Sequence, residues 1–323
     1  MKPLRIFEYM EPRDLKEASS LLKKMGKSGK ILAGGTDTMS CWSARTFHVG
    51  CYTAGIEPPV LKCFGPPKKP RALINIKTIP GLKGIKKKGK SLRIGALTTL
   101  NELTESSELN NGLSLLRDVA GRMGSVEIRN LATVGGNLFT HAPAAGLAPL
   151  LLCIGAKGVI SDGVKRKEIS LEDLFGGFGT LNQLPRLSDG QILVEIIIPE
   201  LRSGSGAGYE KTTVMVSSMS PPVASAAAMV GLETGGKTIK DCRIYVGSCT
   251  PSYPHRGEKA EAYLVNKPVG EEILREASQI AVSTLKPISD NYGSAEYRAL
   301  VASVVVRRAL KQAVQAAQAS FSH

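Results

Sequence analysis

The sequence is poor in aromatic residues, in cysteine and in long apolar runs. Aromatic residues make up 5% of the 323 positions, with one tryptophan, which argues against a surface that stacks many bases. No stretch reaches the ~18 uninterrupted apolar residues that a transmembrane helix needs. Charged side chains follow the first residues without an apolar core, so we expect no secretory signal peptide. The six cysteines form no CxxC pair and are too few for a disulfide scaffold, which indicates reduced thiols and a cytoplasmic protein.

The charge balance is basic. The chain has 42 Lys+Arg and 28 Asp+Glu residues, giving a formal net charge of +14. Nucleic-acid binding is one interpretation of such a charge. The sequence has no helix-turn-helix, RNP or zinc-finger pattern and few aromatic residues to accompany its lysines. We therefore expect no nucleic-acid partner, which leaves an acidic partner or a soluble basic surface as the explanation of the charge.

Two pairs of glycines stand out. An apolar run at residues 31–33 leads into Gly34-Gly35-Thr36-Asp37, and about 100 residues later Thr133-Val134 leads into Gly135-Gly136-Asn137. Glycine lets backbone N–H groups approach phosphate oxygens because no Cβ intervenes, and the neighbouring hydroxyl and amide side chains can add donors. Two such turns can converge on one pyrophosphate; two unrelated tight turns are the alternative.

The apolar periodicity predicts an α+β protein with a boundary near residue 205. The Gly/Ser cluster at residues 203–208 is the candidate boundary, with residues 1–205 on one side and 206–323 on the other. Helices are predicted near residues 14–25, 113–123, 147–156, 270–285 and 294–318, and strands near 30–33, 71–76, 91–96, 191–199, 209–216, 226–233 and 241–247.

Four segments in this order resemble the FAD-binding (medium) subunits of the molybdenum hydroxylase family, of the xanthine dehydrogenase and aerobic carbon monoxide dehydrogenase type. The segments are residues 31–37, 92–99, 129–137 and 287–310. The resemblance covers nearly the whole chain. It implies a vanillyl-alcohol-oxidase-type FAD-binding fold of two α+β subdomains in residues 1–205, followed by a C-terminal α+β domain with a three-stranded sheet and helices in residues 206–323.

The resemblance also implies a cofactor site. It places the FAD pyrophosphate between the two glycine motifs, with Leu193 packed on the isoalloxazine edge, Lys211 near the flavin and Met123 as an apolar contact. The remaining implied contacts are Leu32, Ala33, Gly34, Gly35, Thr36, Asp37, Thr38, Thr133, Val134, Gly135, Gly136 and Asn137.

The implied activity is electron transfer through FAD. A molybdopterin-binding large subunit oxidises the substrate, a small subunit with 2Fe–2S clusters passes the electrons on, and the flavin delivers them to NAD⁺, a quinone or another acceptor. No catalytic acid or base is required in this chain. The four histidines, at positions 48, 141, 255 and 323, show no zinc-type or Ser/His/Asp spacing.

The sequence departs from the family pattern in two places. Gly146 stands where the family usually has an aspartate that hydrogen-bonds the cofactor, and residues 216–222 replace the charged residues that usually follow Lys211. These departures motivate an alternative function: a non-catalytic scaffold subunit that kept the fold and binds flavin weakly or not at all. The intact glycine pairs favour the flavoprotein.

Residues 40–70 form an insertion that carries Cys41, Cys51 and Cys63, spaced ten and twelve residues apart. One interpretation is an additional iron–sulfur cluster, for which His48, another cysteine or a partner chain supplies the fourth ligand. The other interpretation is a proline-rich loop that packs on a partner subunit. Outside the insertion, Cys153, Cys242 and Cys249 are expected to be structural, and Cys153 to be buried.

Overall fold

The computed structural model describes residues 7–38, 71–109, 112–140, 146–175, 187–215, 220, 222–250, 254–289 and 292–321. Within these ranges, no helix combines the length and the apolar character that a membrane crossing requires. The Cys41, Cys51 and Cys63 insertion lies outside the described residues, so the cluster hypothesis stays a prediction.

The first sheet is parallel, with strand order β1-β3-β2, and it positions the first glycine pair. Its strands are β1 (Glu8–Met10), β2 (Gly29–Leu32) and β3 (Ala72–Asn75), and helix α1 (Leu15–Met25) joins β1 to β2 through a short 3₁₀ turn. Asp14 starts α1 because its side chain accepts a hydrogen bond from the Glu17 N–H. All three strands end at the same edge of the sheet, where β2 leads into Gly34.

The second sheet is antiparallel, with strand order β4-β5-β8-β6-β7. Its strands are β4 (Ile85–Lys88), β5 (Ser91–Gly95), β6 (Lys157–Ser161), β7 (Arg166–Ser170) and β8 (Ile192–Pro199). Most of β8 is buried, as its continuous apolar run predicts. Three successive lysines, Lys86 to Lys88, lie in the edge strand β4, where exposed lysines discourage pairing with another chain.

Short helices cover this second sheet. They are α2 (Leu100–Glu105), α3 (Ser114–Gly121), α4 (Val126–Leu131), α5 (Val134–Leu138), α6 (Ala148–Cys153) and α7 (Leu171–Leu174). Helix α2 begins with a capping box, in which Thr99 and Glu102 satisfy each other's backbone N–H groups. The helices and the sheet bury a leucine-rich core that includes Leu103, Leu116 and Leu150, and Cys153 is fully buried within it as predicted.

The C-terminal part is a third, antiparallel sheet covered by helices. Its strands, in the order β12-β11-β10-β9, are β9 (Ser205–Thr213), β10 (Pro222–Leu232), β11 (Ile239–Gly247) and β12 (His255–Arg256). Helices α8 (Glu258–Leu264), α9 (Glu271–Ser283) and α10 (Ala295–Ala319) follow. The expected three-stranded sheet is present as β9, β10 and β11, and the two-residue β12 adds to its edge.

The two faces of β10 join two different cores. Ala226, Ala228 and Val230 contribute to the core with α8, α9 and α10, whereas Ala227 and Met229 belong to the core of the second sheet. The C-terminal sheet is therefore packed against the N-terminal part through shared apolar residues.

The Gly/Ser cluster at 203–208 has a packing role that its composition did not reveal. Gly206 and Gly208 lie within β9, and α10 crosses directly over them. A Cβ at Gly208 would overlap the Ala309 carbonyl oxygen and lie 2.8 Å from the Ala313 nitrogen. These glycines therefore allow the backbones of α10 and β9 to touch. Of the Gly/Ser cluster, only residues 203 and 204 lie before the strand.

Candidate functional site

The two glycine motifs contact each other. A Cβ at Gly34 would overlap the Leu131 carbonyl oxygen, and it would lie 2.9 Å from the Leu131 carbonyl carbon and 3.0 Å from Ala132 Cα. Position 34 thus has room only for glycine, because the first motif contacts the residues that lead into the second motif. The structure therefore brings the two motifs together, and their shared contact with one pyrophosphate stays a prediction.

The first motif offers unpaired backbone donors. Gly35 has φ +77, in the left-handed region that favours glycine, and residues 36–38 are helical. In the part of the chain that the structure describes, the N–H groups of Gly34 and Gly35 have no hydrogen-bond acceptor. Adjacent backbone N–H groups free of internal acceptors can bind a phosphate.

The second motif is the start of a helix rather than a turn. Thr133 caps α5, and its Oγ1 accepts a hydrogen bond from the Gly136 N–H at 3.0 Å. The Gly135 N–H donates to the Ala96 carbonyl oxygen at 2.8 Å. Internal acceptors therefore use both N–H groups in this structure, and the phosphate contacts implied for Gly135 and Gly136 stay a prediction.

Packing explains the second glycine pair. A Cβ at Gly135 would lie 2.8 Å from the Ala96 carbonyl oxygen, and one at Gly136 would lie 2.8 Å from Thr133 Oγ1. The Asn137 side chain is also engaged, since its Oδ1 accepts from the Leu147 N–H at 3.1 Å. The second motif therefore supports the first motif, and it does so through backbone contacts that larger residues would prevent.

The segment after β5 forms the floor beneath the second motif. Besides the Ala96–Gly135 bond, the Val134 N–H donates to the Thr98 carbonyl oxygen at 2.9 Å, and the Leu100 N–H donates to the Ala132 carbonyl oxygen at 2.9 Å. The end of the recognised segment 92–99 is thus tied to the second motif, a contact that the sequence alone did not reveal.

Leu193 lies one residue from this floor. The Ala96 N–H donates to the carbonyl oxygen of Val194, the next residue of β8. The Leu193 side chain is buried in the core of the second sheet, where its Cδ1 lies 2.9 Å from the position that a Cβ at Gly158 would take. The structure thus places Leu193 next to the floor, with its side chain packed against β6.

Lys211 lies at a corner where β9 meets the end of α3. Its Nζ donates to the Arg122 carbonyl oxygen at 2.6 Å. Burial, together with the charge of Arg122, lowers the pKa of Lys211 to about 8. The Arg122 guanidinium pairs with Glu210 at 3.0 Å, so neighbouring residues of β9 bind both the carbonyl and the side chain of Arg122.

Met123 and Gly146 meet at the same corner. A Cβ at Gly146 would lie 3.1 Å from both Sδ and Cε of Met123. The Met123 thioether therefore occupies space that a larger side chain at position 146 would need. The aspartate that the family pattern predicts at this position would have to displace it. Residues 141–145, between the second motif and Gly146, lie outside the described residues.

Two polar side chains near the motifs were missed in the sequence. Asn75, at the end of β3, is paired with Leu32 in the parallel sheet, and its Nδ2 donates to Tyr9 and Glu11 at 2.8 and 3.0 Å. Arg129 Nη1 donates to the Gly124 carbonyl oxygen at 2.7 Å, while its buried Nε has no partner among the described residues. Arg129 belonged to a recognised motif, whereas Asn75 carried no local signal.

Comparison with known families assigns both halves of the chain. The family model described as "FAD binding domain in molybdopterin dehydrogenase" matches residues 66–201, and the model described as "CO dehydrogenase flavoprotein C-terminal domain" matches residues 218–313.

Similar individual proteins span almost the whole length. The carbon monoxide dehydrogenase medium chain of Hydrogenophaga pseudoflava is 28% identical over 95% of this chain and 96% of its own. The nicotine 6-hydroxylase medium subunit of Paenarthrobacter nicotinovorans is 26% identical over 96% of this chain and 98% of its own. A solved carbon monoxide dehydrogenase structure from H. pseudoflava aligns with a TM-score of 0.83 at 28% identity, covering 98% of this chain and 99% of the other.

The residues present fit FAD. Gly34 and Gly35 provide adjacent N–H groups that no acceptor among the described residues uses, and the residues leading into the second motif hold them in place. The FAD-binding family model includes the second motif, and the relatives and the solved structure span almost the whole chain. The chain belongs to the FAD-binding medium subunits of the molybdenum hydroxylase family, the oxidoreductase subunits whose cofactor is FAD.

Proposed function

We propose that this chain passes electrons through bound FAD between the 2Fe–2S clusters of a partner subunit and an external acceptor such as NAD⁺ or a quinone. The observation that carries the proposal is the contact of Gly34 with Leu131 and Ala132, because it joins the two motifs beside unpaired backbone donors. FAD, when bound, accepts electrons singly and releases them singly or as hydride. The chain itself binds, orients and shields the cofactor.

We assign the pyrophosphate to the first motif. The Gly34 and Gly35 N–H groups donate to its oxygens, and the segment from Leu32 to Thr38 follows the cofactor. The residues Leu131 and Ala132, which lead into helix α5 and its cap Thr133, fix the position of the first motif. This assignment differs from a symmetric cradle, in which both glycine pairs donate to phosphate.

The flavin end is assigned to Lys211, Met123 and Leu193. Support for Lys211 and Met123 comes from the end of α3. The Lys211 ammonium is held by the Arg122 carbonyl, and Met123, the residue after Arg122, packs its thioether against Gly146. A half-buried ammonium favours negative charge on a neighbouring group, so Lys211 is suited to stabilise the reduced flavin electrostatically.

The wider assembly follows from the family. We propose that the partners are a molybdopterin-binding large subunit and a small subunit with 2Fe–2S clusters, in a cytoplasmic complex. The free, buried thiols of Cys153, Cys242 and Cys249 are consistent with a reducing compartment. We also propose a domain division near residue 205, where β9, the first strand of the C-terminal sheet, begins.

Flavin content tests the proposal. The assembled complex is purified, its visible spectrum is recorded, and the flavin released on denaturation is identified and counted per chain. We expect flavin absorption bands, and one FAD per copy of this chain. A value near zero in a folded complex would contradict the proposal and favour the scaffold alternative suggested by Gly146 and residues 216–222.

The insertion needs a separate measurement. Iron and labile sulfide are measured in the complex with the natural chain and with Cys51→Ser, beside Cys153→Ser as a control in a buried structural cysteine. If Cys41, Cys51 and Cys63 hold a cluster, Cys51→Ser lowers the iron and the labile sulfide contents, and Cys153→Ser lowers neither. Unchanged contents reject the cluster and leave the proline-rich docking loop.

A further inference from the structure

The outer face of α10 is apolar at one end and basic at the other. Tyr297, Leu300 and Val304 are 48%, 70% and 38% exposed. Their spacing of three and four residues places them on one side of the helix, and Arg308 and Lys311 continue the same side. We call these five residues the outer stripe. It extends over about 21 Å at 1.5 Å per residue.

The fold does not require this apolar surface. The opposite side of α10, with Ala302, Val305, Ala309 and Ala313, is fully buried in the C-terminal core. Single exposed apolar residues are ordinary on protein surfaces, but three that adjoin on one helix face, next to charges, mark a contact surface.

The charges of the outer stripe indicate what kind of surface it meets. Arg308 has no ion-pair partner in the described part of the chain, whereas Lys311 pairs with Glu271 at 3.3 Å. The exposed Glu271 carboxylate therefore lies against the basic end of the stripe, and Glu296 lies in the first turn of α10, so Arg308 is the charge left for a partner. A second copy of a chain with net charge +14 would bring mainly like charges together, so a partner with carboxylates is favoured.

We propose that the outer stripe docks a different subunit of the same complex, through an apolar patch on that subunit flanked by carboxylates. Tyr297, Leu300 and Val304 form the dry centre of the contact, and Arg308 pairs with a carboxylate at its edge. The inference rests on the proposed function only in that the chain assembles with the large and small subunits.

Hydroxyl-radical footprinting tests the contact directly. The isolated chain and the assembled complex are exposed to the same dose, and side-chain oxidation is measured by mass spectrometry. We expect oxidation of Tyr297 and Leu300 to fall at least about threefold in the complex, as burial of exposed interface side chains requires. Val164, 77% exposed in the turn between β6 and β7, provides the reference. Equal oxidation of Tyr297 and Leu300 in both samples overturns the proposal.

Matched variants measure the strength of the contact. The affinity of the purified chain for the remaining subunits is expected to fall at least about tenfold in Leu300→Asp, the typical cost of losing a buried anchor residue, and to be unchanged in Val164→Asp. Arg308→Gln is expected to weaken binding and reduce its salt dependence more than Lys311→Gln, since Lys311 already has a partner in Glu271.

Two outcomes separate this proposal from others. If the isolated chain forms a dimer that Leu300→Asp dissociates, the occupant is a second copy and the proposal is wrong. FAD content is counted in every variant, and it is expected to stay at one per chain. If docking is lost while one FAD per chain is retained, only the docking proposal is affected. If the proposed function fails, flavin is absent but Tyr297 and Leu300 are still protected in the complex.

Discussion

Gly34→Ala perturbs the contact on which the site depends. The added Cβ would overlap the Leu131 carbonyl oxygen and lie 2.9 Å from its carbonyl carbon. Ordinary carbon–carbon contacts are about 3.5–4.0 Å long, so the two segments must separate by roughly 0.6–1.1 Å. Overpacking of this kind costs about 1–3 kcal/mol.

The cost is expected mainly in cofactor binding. Without FAD the two segments can move apart and relieve the overlap, whereas the bound state needs them together. Since about 1.4 kcal/mol corresponds to a tenfold change in Kd, the variant is expected to bind FAD about 5- to 150-fold more weakly.

The assay is a titration of flavin-free protein with FAD, followed by quenching of flavin fluorescence. Gly121→Ala is the matched control, because its Cβ makes an ordinary 3.6 Å contact with Thr104 Cγ2 at the end of α3. Both variants are checked for folding by circular dichroism. If Gly34→Ala and Gly121→Ala bind FAD with the same Kd as the natural chain, the reasoning about the motif contact is refuted.

Three further predictions concern packing and pH. Gly208→Ala places a Cβ against the Ala309 carbonyl oxygen, so we expect thermal unfolding to show a loss of about 1–3 kcal/mol, and a normal melting curve would contradict the close packing of α10 on β9. Gly146→Asp meets the flexible Met123 side chain, so a double-mutant cycle with Met123→Ala is expected to show coupling of about 0.5 kcal/mol or more, and strict additivity would contradict the contact. The pKa of Lys211 falls from 10.5 to about 8, so the unfolded chain binds more protons between these values and the free energy of unfolding of the flavin-free chain rises with pH there. A chemical-denaturation series from pH 7 to 10 should show that Lys211→Met removes this rise, and an unchanged rise would exclude Lys211 as its source.

The long elements and the convergence of the two motifs were predictable from the sequence. Helices α1 and α10 and the buried strand β8 have enough residues to show their periodicity. Matching Gly-Gly motifs flanked by the same residue types indicated a shared site before any geometry was known. Short helices such as α2 and α4, with six residues each, carry too little pattern to be recognised.

What the sequence concealed depends on contacts between distant segments. Thr133 with Gly135 and Gly136 looks the same whether it binds phosphate or begins a helix, because both roles use a hydroxyl and small residues. The glycines of β9 resemble a linker until α10 is seen to rest on them. Likewise, nothing adjacent to Lys211 in sequence announced the Arg122 carbonyl that holds its ammonium.

Rapid-reaction spectroscopy of the assembled complex tests the central claim most directly. Electrons are supplied from the reduced 2Fe–2S subunit, and absorbance is followed separately at flavin and cluster wavelengths while an acceptor is added. The account predicts that the flavin is reduced as the clusters are oxidised and is reoxidised by the acceptor, at rates no slower than turnover. Cluster reoxidation by the acceptor with no change in flavin absorbance would contradict it.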